Sequence, residues 1–258
     1  MQTKQNREKS NFNYSFSHVL KFNQEDIVRA WDNAAEGRLR VIENGQDRSY
    51  LDVLLPTCSD FIKQYNPKRV IDVGCGVGHL TKKILTKENS LVGVDPSKVA
   101  IKIAINKFQT SKNIHFINSD IETFSKSNLE RFDGLVANML LMDVLDLVEV
   151  LASMERVLCQ GGKAIVTICH PCFWPQYWGY VNEEWFSYNK ELAIKSDFRI
   201  KNAESLGAKT IHFHRPLESY LNAIKSTGLE IVKLKELFGP GGGKTFPFPR
   251  FMVIECVK

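Results

Sequence analysis

Two rhythms of apolar and polar positions divide the chain. From Gln24 to about Tyr65 the apolar residues Ile27, Ala30, Trp31 and Ala34, then Val53, Leu54, Leu55, Phe61 and Ile62, recur at helical spacing. The polar stretch "ENGQD" at 43–47 interrupts them, so two or three helices are expected there, placed to cover a site. After Pro67 short apolar runs alternate with helical patterns. "RVIDVG" predicts a strand, "GHLTKKILTKE" a helix, "SLVGVDP" a strand, "SKVAIKIAINKFQ" a helix and "IHFINSD" a strand. "FDGLVANM", "DVLDLVEVLASMERVL" and "KAIVTICH" continue the series as strand, helix and strand, with "CQGG" as a turn. Such alternation predicts an α/β protein built on a doubly wound parallel sheet.

The rhythm breaks in "PCFWPQYWGYVNEEWFSYN", where aromatic residues crowd around turn formers. Residues 171–209 therefore read as an insertion over the carboxyl edge of the sheet. Beyond it "TIHFH" predicts a strand, "PLESYLNAIKSTG" a helix, and "LEIVKLKEL" and "RFMVIECVK" two strands. The short link "FGPGGGKTFPFP" suits an antiparallel pair. Residues 1–24 are polar with Phe12, Tyr14, Phe16 and Phe22 among them, which predicts an arm that is partly packed. The main domain is then 25–258, with 25–66 as its helical cover.

In a doubly wound sheet a ligand sits beyond the carboxyl ends of the strands, so the loop after the first main strand carries the chemistry. Here it reads "VIDVGCGVGH", with Gly74, Gly76 and Gly78 on alternate positions. A dinucleotide fingerprint is G-x-G-x-x-G, and a phosphate loop is G-x-x-x-x-G-K-[ST]. Neither fits, and Asp72, two residues before Gly74, would repel a pyrophosphate but not a cationic amino-acid nucleoside. Asp95 stands at the tip of the next strand, 17 residues beyond Gly78, where a carboxylate can grip both hydroxyls of a ribose. Asp120 and Ile121 end the third strand, suited to an adenine amine and an adenine face.

These segments resemble the class I S-adenosylmethionine-dependent methyltransferases through "VIDVGCGVGHL", "LVGVDPS", "HFINSDIETF", "FDGLVANMLLMDV" and "ERVLCQGGKAIVTICHPCF", in order. "GQDRSYLDVLLP", "ANMLLMDV", "HPCF" and "HFHRPLESYLNAIKSTGLEI" resemble a bacterial small-molecule group within them. The resemblance implies a Rossmann-like seven-stranded sheet with the last strand antiparallel, N-terminal helices, and an insertion after the fifth strand forming a cap. It also implies S-adenosyl-L-methionine as cofactor and S-adenosyl-L-homocysteine as product. Asp72, Gly74, Cys75, Gly76 and Gly78 would lie under the methionine part, Asp95, Pro96 and Ser97 at the ribose, Asp120 and Ile121 at adenine, and Asn138 and Met139 at the methionine end.

On the substrate side His170 is the first candidate to orient or deprotonate a nucleophile, and His214 with Arg215 the second. Phe173, Trp174, Tyr177 and Trp178 suit an aromatic or amine-attracting roof. Trp31, Arg48 and Tyr50 in the leading helices are candidates to close the site. Each has a plainer reading as a packed or hydrogen-bonded structural residue.

Composition narrows the setting. The 258 residues, 43% hydrophobic and 24% charged, suffice for a large buried core. A net charge of +5 is scattered rather than blocked, which leaves RNA or tRNA methylation as the second hypothesis behind a small-molecule nitrogen or oxygen acceptor. A fold that binds cofactor without turnover is the third. Six cysteines without a disulfide pattern, and no apolar run of the ~18 residues that span a bilayer, point to a cytoplasmic setting, and a monomer or homodimer is expected. "GPGGGKT" at 239–245 is one position short of a phosphate loop, and the Cys169, His170, Cys172, His212 and His214 set lacks zinc-ligand spacing, so no metal is expected. The cysteines of "TICHPC" lack the Pro-Cys partner that a cytosine-C5 enzyme of RNA carries after the fourth strand, where "ANML" stands.

Overall fold

The computed structural model describes residues 16–108, 111–200, 203 and 206–258. Phe12 and Tyr14 of the expected arm lie outside them. The described part of the arm opens with β1 (Ser17–His18) and leads into α1 (Gln24–Glu43). Asn23 and Asp26 close a reciprocal capping box at the start of α1, and Ile27, Ala34, Val41 and Ile42 face inward along it. After the "ENGQD" turn the chain makes a π-helical turn over Tyr50–Leu54 that runs into α2 (Leu55–Tyr65), ended by Asn66 in the left-handed conformation.

The alternating region then lays down β2 (Arg69–Val73), α3 (His79–Ile84), β3 (Ser90–Asp95), α4 (Lys98–Phe108), β4 (Ile114–Asn118), α5 (Ile121–Ser127), β5 (Phe132–Asn138), α6 (Leu147–Val157) and β6 (Leu158–Cys169). β2, β3 and β5 are mostly buried along their length because helices cover both faces of the sheet. The "CQGG" residues lie inside β6: its ladder to β5 jumps from Leu158 to Lys163, so the turn is an extrusion within a strand. After the cap follow α8 (Leu217–Ser226), β9 (Glu230–Leu237) and β10 (Phe251–Val257), once β7 (Leu192–Asp197) and β8 (Lys209–His214) have been passed.

The central sheet has seven strands in the order β4-β3-β2-β5-β6-β10-β9, and β10 is antiparallel to both its neighbours. Its two faces carry two buried clusters. One joins the sheet to α5, α6 and α8 through Leu151, Met154 and Ile224, and the other joins it to α1, α2 and α3 through Phe61, Leu80 and Val253. The order matches the expected doubly wound topology, with its switch point between β2 and β5.

The insertion after β6 carries the short helix α7 (Trp174–Trp178) and a small antiparallel sheet, β1-β7-β8. Two sequence expectations shift here. "TIHFH" is a strand of the cap rather than of the main body, and Ser17–His18 of the arm pairs with Lys195 and Ile194 as the cap's edge. Both depend on pairing between distant segments, which no local pattern records. No helix of the described residues is long and apolar enough to cross a membrane.

Candidate active site

The carboxyl tips of β2, β3, β5 and β6 open into one cavity of about 750 Å³, roofed by α1, the π-helical turn and the cap. The loop after β2 forms its floor. Gly76 holds a positive φ of 52°, and a Cβ there would meet no protein atom within 4 Å, so the loop leaves open space at that point. At Gly74 a Cβ would instead press on Leu140 at 2.8 Å. The Gly76 amide donates to Asp95 Oδ2 (2.9 Å), and the Ser97 amide donates to Asp95 Oδ1 (2.8 Å). Burial pushes the Asp95 carboxyl up to about 6, against the lowering effect of those amides.

Asp72 lies beneath the loop, accepts from Thr81 Oγ1 (2.6 Å), and is pushed up to about 7 by burial. Ser97 Oγ donates to Asp32 Oδ1 (2.6 Å), and the Val99 amide donates to the same oxygen (3.1 Å). These bonds hold α1 against the β3 tip, with Trp31 on the cavity wall. Asn138 Oδ1 accepts from Thr167 Oγ1 (2.8 Å), and Met139, with a positive φ of 55°, donates to the Thr167 carbonyl (2.9 Å).

Of the residues expected at the cofactor, Asp72, Gly74, Cys75, Gly76, Asp95, Pro96, Ser97, Asn138 and Met139 line this cavity. Gly78 stands behind the loop at the start of α3. Asp120 and Ile121 are not on its wall: Asp120 caps α5 by accepting from the Thr123 amide (2.6 Å), and Ile121 is buried in the core.

The substrate-side expectations separate more sharply. Trp31, Tyr50, Trp174, Tyr177 and Trp178 line the cavity, and His170, His214, Arg215, Arg48 and Phe173 do not. His170 is buried with Nε2 2.8 Å from Glu236 Oε1, because β10 brings the ends of β6 and β9 together. His214 Nε2 donates to the Tyr188 carbonyl (3.0 Å), and burial pushes its pKa down. Arg215 is fully buried, donating to Glu191 and to the carbonyls of Leu141, Val144 and Leu145. Arg48 pairs with Asp52 at the surface, and Phe173 stacks on Phe248.

A family model described as a methyltransferase domain matches residues 66–226, more than half of the chain. The chain belongs to that methyltransferase family. Among curated relatives, a ubiquinone biosynthesis O-methyltransferase of Hahella chejuensis is 27% identical over 153 residues, covering 58% of this chain and 59% of that one. The chain thus spans less than two thirds of that relative's length. A solved S-adenosylmethionine-dependent methyltransferase of Clostridium acetobutylicum aligns with a TM-score of 0.65 at 19% identity, covering 86% of this chain and 98% of that one. The 1,6-didemethyltoxoflavin-N1-methyltransferase of Burkholderia thailandensis, solved with 1,6-didemethyltoxoflavin and S-adenosylhomocysteine, aligns with a TM-score of 0.63 at 14% identity, covering 95% and 96%. At such identities the solved structures establish the methyltransferase fold.

Within this methyltransferase domain the cavity also holds residues that the sequence did not single out for the site. His212 on β8 is 5% exposed, both of its ring nitrogens lack a hydrogen-bond partner among the described residues, and burial pushes it down to about 3. Asp143 lies in the turn after β5, and burial pushes its carboxyl well above the usual range. Arg250, just before β10, and Arg38, paired with Asp47, complete the polar wall. The alternation of "TIHFH" puts His212 and His214 on one face, but only the pairing of β8 with β7 and the seating of Tyr188 decide which ring is left open. Among the described residues no group of three or more His, Cys, Asp or Glu side chains is placed to hold a metal ion.

Proposed function

We propose that the protein is an S-adenosylmethionine-dependent methyltransferase that moves a methyl group to a nitrogen or oxygen of a small metabolite. The observation that carries this reading is the continuity of one cavity, from the glycine loop and the Asp95 carboxylate at one end to the aromatic cap at the other. The loop fits the cofactor, since Gly76 leaves open space where any side chain would stand. Bound there, the cofactor supplies a sulfonium methyl that is already activated by its charge.

The protein's part is then to hold, orient and exclude water. Asp95 accepts from the ribose hydroxyls, Asp72 lies beneath the cationic end, whose charge favours its ionised form, and Asn138 and Met139 meet the methionine end. Trp31 and Tyr50 close the roof, while Trp174, Tyr177 and Trp178 hold the acceptor. His212, neutral through the physiological range and without a hydrogen-bond partner among the described residues, accepts a hydrogen bond from the acceptor's N–H or O–H and orients it, and Asp143, whose carboxyl burial pushes well above its usual range, lies on the same wall. His170 and His214 are positioned by Glu236 and Tyr188 and support the cap instead. The six unpaired cysteines suit a cytoplasmic setting.

Asp95→Ala is expected to weaken S-adenosylhomocysteine binding about a hundredfold, since two charge-assisted hydrogen bonds are lost together. Calorimetric titration checks this, and an unchanged affinity would remove Asp95 from the ribose site. The pH dependence has a defined sign. Asp95 rises from an ordinary aspartate value to about 6 in the folded, ligand-free chain, so below that pH it is protonated and one ribose hydroxyl loses its acceptor. Affinity for S-adenosylhomocysteine therefore falls as the pH drops through 6, and binding near pH 6 releases protons. Calorimetry in two buffers of different ionisation enthalpy measures that release. The same shift stabilises the ligand-free fold at low pH, and that contribution is lost as the pH rises toward 6.

A further inference from the structure

Arg250 is a buried cation at the substrate end of the cavity, and the way it is held suggests what the substrate carries. Its main chain is fixed from both sides: the His170 amide donates to its carbonyl (2.9 Å), and its own amide donates to the Leu237 carbonyl (2.8 Å). The side chain is 8% exposed and lies over the Tyr177 ring, with the guanidinium carbon 4.0 Å from the ring centroid. Gly239, in the "GPGGGKT" segment that matched no phosphate loop, makes room for it, because a Cβ there would run into the Arg250 side chain. The glycine-rich link thus has a local purpose: it lets the backbone lie against this arginine.

The guanidinium is left largely unsatisfied. Among the described residues its one side-chain hydrogen bond is Nη2 to Ser49 Oγ (3.1 Å), and Nε has no partner. No carboxylate pairs with it among the described residues. Asp47, the acid whose field reaches it, is engaged by Arg38 and by the Tyr50 amide. A buried, unpaired charge is costly unless an anion completes the site.

The anion is not placed where the cofactor's ribose would be. Asp95 ends β3 and Arg250 precedes β10, four strand positions away in the sheet, which at strand spacing is roughly 19 Å. Between Arg250 and His212 the wall is continuous aromatic surface. Tyr177 meets Trp174 at 5.3 Å, Trp174 meets Trp178 at 5.0 Å, and Trp178 meets the His212 ring at 4.8 Å. We infer that the acceptor is a planar carboxylic acid whose carboxylate is seated on Arg250 and whose ring lies along the Tyr177–Trp174–Trp178 wall. The inference rests on the methyltransferase reading of the same cavity and names its substrate class.

The test uses benzoate and its uncharged counterpart benzamide, titrated by ligand-observed NMR into the full chain with and without S-adenosylhomocysteine. Wild-type protein is expected to prefer benzoate by about tenfold or more, as a charge-assisted pair requires. Arg250→Gln removes that preference and leaves S-adenosylhomocysteine affinity within about twofold, whereas Arg250→Lys restores part of the preference. Equal binding of benzoate and benzamide by the wild type, which needs no variant to fold, would overturn the proposal. So would a preference that survives Arg250→Gln. Loss of S-adenosylhomocysteine affinity in a folded Arg250→Gln protein would assign the arginine to the cofactor and overturn it too. If the wild type binds benzoate on Arg250 but no S-adenosylhomocysteine, the methyltransferase reading fails while the anion seat stands.

Discussion

Gly76→Val should remove S-adenosylhomocysteine binding to below detection at about 1 mM ligand, with the fold retained. A Cβ at this position meets no protein atom within 4 Å, so the branched side chain is directed into the space left open in front of the loop. Its cost to the ligand-free protein is the left-handed backbone at φ 52°, about 1–2 kcal/mol for a residue with a Cβ. Gly74→Val would make a poorer test, because its Cβ presses on Leu140 and would disturb the fold as well. Calorimetry for binding and thermal unfolding for stability, on the same preparation, separate the two effects. Unimpaired binding by a folded Gly76→Val protein would mean that no ligand approaches the loop there.

The second large effect concerns stability. Arg215 leaves β8 with its guanidinium fully buried, and it donates to Leu141 (2.9 Å), Val144 (2.9 Å), Leu145 (3.2 Å) and both oxygens of Glu191 (2.9 and 3.1 Å). It thereby ties the cap to the turn after β5. Arg215→Ala strands buried carbonyls and opens a cavity, together worth about 4 kcal/mol. For a chain of this size that is a fall in melting temperature of roughly 10 °C. Urea unfolding and calorimetry measure it. Loss of turnover at unchanged stability would instead support the substrate-binding role that the sequence suggested for Arg215.

The glycine-loop side of the cavity was legible because its determinants are local. The strand, the tight turn and the helix start that place Gly74, Gly76 and Asp95 lie in consecutive residues, and their periodicity changes at the turns themselves. Asp120 shows the limit of that logic, since the same carboxylate that could meet an adenine satisfies the Thr123 amide. The cap side of the cavity was written in contacts between distant segments. His170 ends an apolar run and His212 interrupts one, and neither position shows in the sequence which ring finds a partner. Their fates differ because β10 brings Glu236 to one, and because Tyr188 offers a carbonyl to His214 but none to His212. Arg250 follows a Pro-rich link with no periodicity, so nothing near it in sequence announces the Tyr177 ring or the glycine that shelters it.

The most direct test of the central claim is calorimetric titration of the purified protein with S-adenosylhomocysteine, repeated with RNA present and with NAD in place of the ligand. Micromolar affinity that RNA does not alter and NAD does not match is the predicted result. No binding of S-adenosylhomocysteine, or tighter binding of NAD, would contradict the account and leave the fold without the proposed chemistry.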